Sequence, residues 1–456
     1  MVTDTHSLVF PSDFVFGVAT SSYQIEGAVL EDGRTPSHWD TFSHTPGKTK
    51  NGETGDVACD HYHRYPKDVD LIAQLGVSAY RFSLAWPRLI TEGNRINQRG
   101  VDFYSRLLDT LASKNLTPAA TIYHWDLPQW LADRGGWANR DTVGYFKDYA
   151  EMVFNAFGDR ISTWITHNEP WCSSFLSYGL GEHAPGHQDW REAVLASHHI
   201  LLSHGEAVKS FRSMSLRGEI GITLNLTVSD ARTDTDQDRA AARRNDGFSN
   251  RWFLDPVFRG SYPRDMVELF QPYVQHYGFI HDGDMETIAT PIDFLGINYY
   301  TRAVVFDQPG HSLLQLGHVA SPAEKATKMG WEVHPDSLYR LLKRLSEEYT
   351  ALPMYITENG AAYSDNVGAD GQVHDAKRTA YVQGHLEAAQ RFIEQGGNLK
   401  GYYLWSLMDN FEWAHGYSKR FGIIYVDFET QQRILKDSAK WYRDLITAQK
   451  PHTSPP

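Results

Sequence analysis

Two hydrophobic rhythms alternate along the chain. Runs of apolar, β-branched and aromatic residues occupy 14–20, 79–86, 118–125, 161–168, 219–226, 292–299, 354–357 and 400–405, and each predicts a β-strand. Between them lie longer stretches in which apolar residues return every three or four positions, as in 65–75, 101–113, 143–157, 336–348 and 377–394, the spacing of a helix with one buried face. Alternation of this kind predicts an α/β fold with a parallel sheet under helices. Eight near-continuous apolar strands point to a closed (β/α)₈ barrel of the TIM type rather than an open sheet. No Gly-x-Gly-x-x-Gly follows the first strand, which removes the main reason to expect a dinucleotide fold.

Two connections are longer than a barrel needs, roughly 21–64 after the first strand and 227–291 after the fifth. The second contains helix-like sequence over 239–253. No linker, low-complexity tract or internal repeat divides the chain, so one catalytic domain over 1–456 is expected.

Polar residues collect where the strands end. Arg81 interrupts the apolar run of the second strand. The third ends in His124-Trp125-Asp126, the fourth in Thr166-His167-Asn168-Glu169-Pro170, the sixth in Asn298-Tyr299-Tyr300 and the seventh in Thr357-Glu358-Asn359-Gly360. The eighth runs through Trp405 to Asp409-Asn410-Phe411-Glu412-Trp413. All strand C-termini of such a barrel open on one face, where active sites are built, so residues from Gln24 to Trp413 should meet in one pocket. Taken singly, a Glu at a strand end is usually a solvated or helix-capping carboxylate, Trp-rich strand ends are more often core or rim packing, His124 reads as a structural histidine and Arg81 as a buried ion-pair partner. Core packing offers no reason for them to coincide at the ends of six strands.

Breaking a glycosidic bond takes a proton for the leaving oxygen and a nucleophile or activated water on the other side of the sugar, and a pair of Asp/Glu supplies both. Glu169 and Glu358 end strands four and seven, nearly across the barrel mouth. Asn168 is placed to hold the sugar 2-hydroxyl, and Trp405 and Trp413 offer flat apolar faces to sugar C–H groups.

At these residues the sequence resembles glycoside hydrolase family 1, the β-glucosidase family. The motifs are SSYQIEG (21–27), YRFSLAWPR (80–88), YHWDLP (123–128), THNEPW (166–171), GINYY (296–300), MGWEVHP (329–335), YITENG (355–360), LWSLMDNFEW (404–413) and RFGIIYVD (420–427), in order through almost the whole chain. The resemblance implies a retaining double displacement with Glu169 as acid/base and Glu358 as nucleophile. It places Gln24, His124, Asn168 and Glu412 on the hydroxyls of the nonreducing-end sugar, with Trp125 beside them, Trp405 beneath the ring and Trp413 at its edge. Arg81, Asn298 and Tyr300 would hold the nucleophile ionised and oriented. Trp331 would wall the leaving-group site, and Trp171 and Cys172 would lie where that channel narrows. The implied substrate is a small β-glucoside or cello-oligosaccharide, galactosides and fucosides being open as well, and no cofactor or metal is implied.

Competing readings differ by residue type. A 6-phospho-β-glucosidase needs cationic or hydroxyl groups where this chain has Glu412-Trp413, and a carboxylate repels a phosphate dianion, although Ser418-Lys419 follows closely. Thioglucosidases of this family carry Gln in place of the acid; Glu169 therefore points to an O-glycosidase. A catalytically silent sugar-binding barrel would not need both carboxylates with Arg81 and Tyr300. For a metal enzyme, His183-Ala-Pro-Gly-His187 contains Pro and Gly and cannot present two ligands from one helical face, and Arg239 stands where a calcium loop beginning at Asp234 requires Gly.

Composition narrows the setting. With 41% hydrophobic and 22% charged residues the chain is an ordinary globular protein. Lys+Arg total 43 against 56 Asp+Glu, a formal net charge of −13 without a basic run, which argues against nucleic acid as a partner and slightly favours neutral substrates. Cys59 and Cys172 form no CxxC pair and read as thiols in a reducing compartment. The opening MVTDTHSLVFPSDF has no basic region or long apolar core, and no segment nears the ~18 apolar residues of a membrane span. Neither secretion nor membrane insertion is expected, and the cytoplasm is the expected location.

Overall fold

A computed structural model describes residues 8–449; the outermost residues of the domain expected over 1–456, with the first half of the N-terminal stretch discussed above, lie outside the described residues. Eight strands close a barrel: β1 (Val15–Ala19), β2 (Ala79–Ser83), β3 (Thr117–Tyr123), β4 (Thr163–Asn168), β5 (Glu219–Asn225), β6 (Phe294–Asn298), β7 (Met354–Asn359) and β8 (Leu399–Trp405). Each pairs in parallel with its sequence neighbours, and β8 closes onto β1. The alternation read from the sequence is therefore a (β/α)₈ barrel. All five expected helices form, lengthened by a few residues at their starts, as His61–Gln74, Gln98–Ser113, Asp141–Phe157, Pro335–Glu348 and Ala376–Glu394.

The two long connections are structured. The first carries helices Ser22–Ile25 and His38–His44, the latter begun by a reciprocal capping box between Ser37 and Asp40. In the second, the expected helix is broken: Asp236–Asp246 passes through a wider turn at Gly247–Arg251 before Trp252–Arg259 continues. The Asp234–Asp238 segment begins this helix, with the Thr235 side chain accepting from the Asp238 N–H and Arg239 pairing Asp234 and Asp236. No helix among the described residues is long and apolar enough to cross a membrane.

The barrel interior explains why Arg81 could sit in an apolar run. Below the strand ends, inward positions of β3, β5 and β7 carry Thr121, Thr223 and Thr357, all buried, beside the fully buried Arg81 of β2. The Thr223 hydroxyl donates to Thr357 Oγ1 (3.2 Å), and Thr357 Oγ1 donates to Asn298 Oδ1 (2.8 Å). Such a satisfied polar layer is tolerated where an unpaired one would be costly.

Candidate active site

The barrel ladder slips where the two carboxylates emerge. Among the eight pairings, register shifts occur between Ile165 and Asn168 of β4, between Ile356 and Glu358 of β7 against β6, and twice along β7 against β8. A shift of this kind re-aims the side chains that follow it. Glu169 then takes a left-handed backbone (φ 50°), as do Trp125 (79°) and Trp413 (50°). Side-chain-bearing residues adopt that region only where surrounding structure compels them, and such sites concentrate around function. Gly360, next to Asn359 at the end of β7, packs so close to β8 that an added Cβ would sit 1.6 Å from the Trp405 carbonyl oxygen, which accounts for glycine after Thr-Glu-Asn.

The Arg81 guanidinium joins three strands. Nη1 donates to Glu358 Oε1 (2.8 Å) and to the Thr357 carbonyl (2.9 Å), Nη2 to Asn168 Oδ1 (2.7 Å), and Nε to Thr121 Oγ1 (3.2 Å). The Tyr300 hydroxyl donates to Glu358 Oε2 at 2.6 Å. Each oxygen of Glu358 thus has a donor, one of them cationic. Glu169 is held differently: Asn298 Nδ2 donates to Oε1 (2.6 Å) and the Cys172 thiol to Oε2 (3.0 Å). Asn298, expected on Glu358 with Arg81 and Tyr300, serves both carboxyls: its amide also donates to Glu169 and to Asn168 Oδ1 (3.0 Å), and it lowers Glu358 less than Arg81 or Tyr300 does. The reason is that Asn298 Oδ1 accepts from Thr357, which turns the amide nitrogen toward β4.

The two carboxyls differ in charge balance. Burial pushes Glu358 up, and Arg81 and Tyr300 pull it back. Burial also raises Glu169, and the negative charge of Glu358 raises it further, to about 7, against weaker lowering by Cys172, Asn298 and the more distant Arg81. The arrangement therefore favours a neutral Glu169 beside a charged Glu358.

The sugar-binding candidates surround this pair. Asn168 Oδ1 accepts from both Arg81 and Asn298, so its Nδ2 faces His124 Nε2 at 3.1 Å. Burial and the Arg81 charge keep His124 neutral, with its proton on Nδ1, an atom left without a protein partner among the described residues. Gln24 Nε2 donates to the Phe411 carbonyl (2.8 Å), Asn410 Oδ1 (3.1 Å) and Glu412 Oε2 (3.3 Å). Burial, then the charges of Glu358 and Glu169, push Glu412 up to about 8. Its loop is anchored by the buried Asp409, which accepts from Lys436 (2.7 Å), Arg420 (2.6 Å) and the Gly422 N–H (3.0 Å).

Among the aromatic candidates Trp125, Trp405 and Trp413 are all buried and Trp331 is partly so. Trp405 lies nearly parallel to His124, centroids 5.8 Å apart, and Trp331 packs on Tyr300 at 5.3 Å. Trp125 and Trp413 are almost wholly enclosed, in a wall with Tyr23, Trp39 and His183, and the Trp125 indole N–H is spent on the Asn168 carbonyl (2.8 Å). Sequence reasoning missed that wall and the thiol contact to Glu169; the only trace of the latter was the three-residue spacing across a proline. His183 and His187 are split, the first packed on Trp39 and Trp125 and the second paired with Glu192, and the described residues contain no group of three or more side chains arranged to hold a metal. Both cysteines are free and buried.

The description "Glycosyl hydrolase family 1" matches residues 6–451. The chain is similar to β-glucosidase A of Acetivibrio thermocellus, 46% identical over 96% of this chain and 98% of that protein. It is likewise similar to a bifunctional β-D-glucosidase/β-D-fucosidase of Bifidobacterium breve, 48% identical over 96% of this chain and 98% of the relative. Among solved structures, a β-glucosidase of Exiguobacterium antarcticum superposes with a TM-score of 0.96 at 52% identity, covering 98% of this chain and 100% of that one. Eight strand ends, a register-shifted pair of buried carboxylates and full-length similarity agree, and the chain belongs to glycosyl hydrolase family 1.

Proposed function

We propose that this protein is a retaining β-glucosidase that removes terminal nonreducing β-D-glucosyl residues from small glycosides and cello-oligosaccharides, with Glu169 as acid/base and Glu358 as nucleophile. One observation carries the proposal: two carboxyls share one hydrogen-bonded site, and only one of them has a cation in contact. A retaining pair stands about 5 Å apart, too close for both to ionise freely, so one must be neutral and the other charged. Arg81 and Tyr300 support the charge on Glu358. That charge keeps the proton on Glu169 until the leaving oxygen takes it.

In the first step a Glu358 oxygen bonds to the anomeric carbon as the glycosidic C–O bond breaks, and the Glu169 proton passes to the departing oxygen. Esterification removes the Glu358 charge, so Glu169 no longer has an anion beside it and becomes the base that deprotonates water. The sign of the pH dependence follows: activity falls as pH rises past about 7, where Glu169 loses its proton.

Asn168, His124, Gln24 and Glu412 form the proposed hydroxyl-binding set, with Trp405 under the ring, Trp125 and Trp413 as its aromatic wall, and Trp331 facing the leaving group. The 6-phospho reading is not favoured. Lys419 Nζ donates to the Lys328 carbonyl (2.5 Å) and the Ser418 hydroxyl to the His415 carbonyl (2.8 Å), so both groups that a phosphate would need already bond the backbone. The presence of a fucosidase among the relatives supports testing galactosides and fucosides beside glucosides. We further infer one catalytic domain, working in the cytoplasm and without a nucleic-acid partner.

Rates on a panel of aryl β-glycosides and cello-oligosaccharides test the substrate class, and a β-glucoside should be among the best. Glu412→Ala should lower kcat/KM on glucosides by roughly 10- to 100-fold, since it removes hydrogen bonds to sugar hydroxyls and leaves those hydroxyls unpaired in a buried site. An unchanged value, or faster turnover of a 6-phosphoglucoside by the parent enzyme, would reverse the substrate assignment.

A further inference from the structure

We propose that Cys172 is a positioning residue for the acid/base: its thiol holds Oε2 of Glu169 and stabilises the carboxylate form that must act as base in the second half of the reaction. The inference rests on Glu169 being the acid/base, as proposed above.

The local fold brings the thiol there. After the left-handed Glu169, the chain turns so that the N–H groups of Cys172 (2.9 Å) and Ser173 (3.2 Å) both donate to the Glu169 carbonyl, opening the wide helical segment Cys172–Gly179. That turn folds the Cys172 side chain back toward the carboxyl three residues before it and leaves Sγ 3.0 Å from Oε2. Cys172 is buried, which together with the Glu169 charge keeps the thiol protonated and therefore a donor.

The other oxygen of Glu169 is already committed. Asn298 Oδ1 accepts from Thr357, so its Nδ2 can only donate, and it does so to Oε1 at 2.6 Å. An oxygen bound so closely by a fixed donor is a poor place for the acid proton. The proton therefore resides on Oε2, the oxygen that Cys172 faces.

This gives the thiol two states. When Glu169 is neutral, Oε2 carries the hydrogen and sulfur offers only a weak acceptor. During glycosyl transfer the Oε2–H bond breaks, the proton joins the departing oxygen together with the electron pair of the glycosidic C–O bond, and Glu358 forms the new bond to carbon. Oε2 is then anionic, and the S–H becomes its donor. Stabilising the carboxylate in this way opposes the upward push of burial and keeps Glu169 able to release its proton. A thiol is a weaker donor than a hydroxyl, so it steadies the carboxylate without trapping it.

The test uses full-length Cys172→Ala, Cys172→Val, Cys172→Ser and Glu169→Gln enzymes, with kcat/KM on a nitrophenyl β-glucoside followed against pH. Loss of a donor to the carboxylate favours the acid form, so Ala and Val should move the basic limb upward by about half to one pH unit, and Ser should return it toward the parent position. With a dinitrophenyl glucoside, for which the second step limits turnover, kcat of Ala and Val should fall by roughly 3- to 10-fold. Val keeps the buried volume filled, and melting temperatures separate a packing defect from an effect on the carboxyl. If the basic limb disappears in Glu169→Gln yet stays in place in both Ala and Val, the thiol has no hold on the acid/base and the inference is overturned. If the limb persists in Glu169→Gln, the assignment of Glu169 itself fails, and the inference falls with it for that separate reason.

Discussion

Glu358→Ala is expected to leave the circular-dichroism spectrum unchanged and to lower hydrolysis of aryl β-glucosides by roughly 10⁴-fold or more, the scale of losing an essential nucleophile. Arg81 would keep its bonds to the Thr357 carbonyl, Asn168 and Thr121, so the barrel mouth should stay in shape around the space left by the carboxylate. Added azide should restore turnover of an activated aryl glucoside, attacking from the face Glu358 occupied and giving a glycosyl azide of inverted anomeric configuration. No covalent glycosyl-enzyme can form in this variant, so the reaction becomes a single displacement. Residual activity above a few per cent of the parent, or an azide product of retained configuration, would mean that the nucleophile is another residue.

Glu169→Ala should separate substrates by leaving group. General acid catalysis contributes roughly 10²–10⁴-fold, and only where the departing oxygen needs a proton. Cleavage of cellobiose should fall by that factor, because an alkoxide cannot leave unaided. The first step on a dinitrophenyl glucoside should be nearly spared, since that phenolate is stable alone. Without a base the glycosyl-enzyme would then hydrolyse slowly and accumulate, seen as a burst of phenolate and a low apparent KM. The basic limb of the pH profile, placed by the raised Glu169 carboxyl near about 7, should flatten. Equal losses on both substrates, with no burst, would assign Glu169 a binding role without proton transfer.

Both predictions draw on what the sequence shows and on what it cannot. Strand and helix patterns were legible because burial imposes them locally: a continuous buried run as in β3, or a stripe every third or fourth residue in Asp141–Phe157, can be read without knowing any partner. The gathering of polar residues at strand C-termini was legible too, because a parallel barrel sends every such end to one face. The helix expected over 239–253 failed in detail because its interruption at Gly247–Arg251 serves packing with other elements: Arg251 pairs with Asp246 and Asp265, and an added Cβ at Gly247 would meet Met266. Such contacts leave no periodic trace.

Asn298 illustrates the limit at the site. From sequence it is an amide at the end of a strand, free to serve either carboxylate. A threonine hydroxyl from the neighbouring strand fixes its oxygen, so that its nitrogen is held on Glu169 while still lowering Glu358. The wall formed by Trp125, Trp413, Tyr23 and Trp39 has the same origin, in side chains brought together from separate strands and loops, whereas the Cys172 contact arises from the turn that follows Glu169. By itself, then, the chain determined the barrel, the face on which chemistry occurs and the residues available there, since these follow from local burial patterns and residue type. The tertiary structure decided which carboxyl stands against Arg81 and which does not. A proton's position depends on burial, on distance to the nearest charge and on the direction of each donor, and those quantities exist only once distant strands are closed into one barrel.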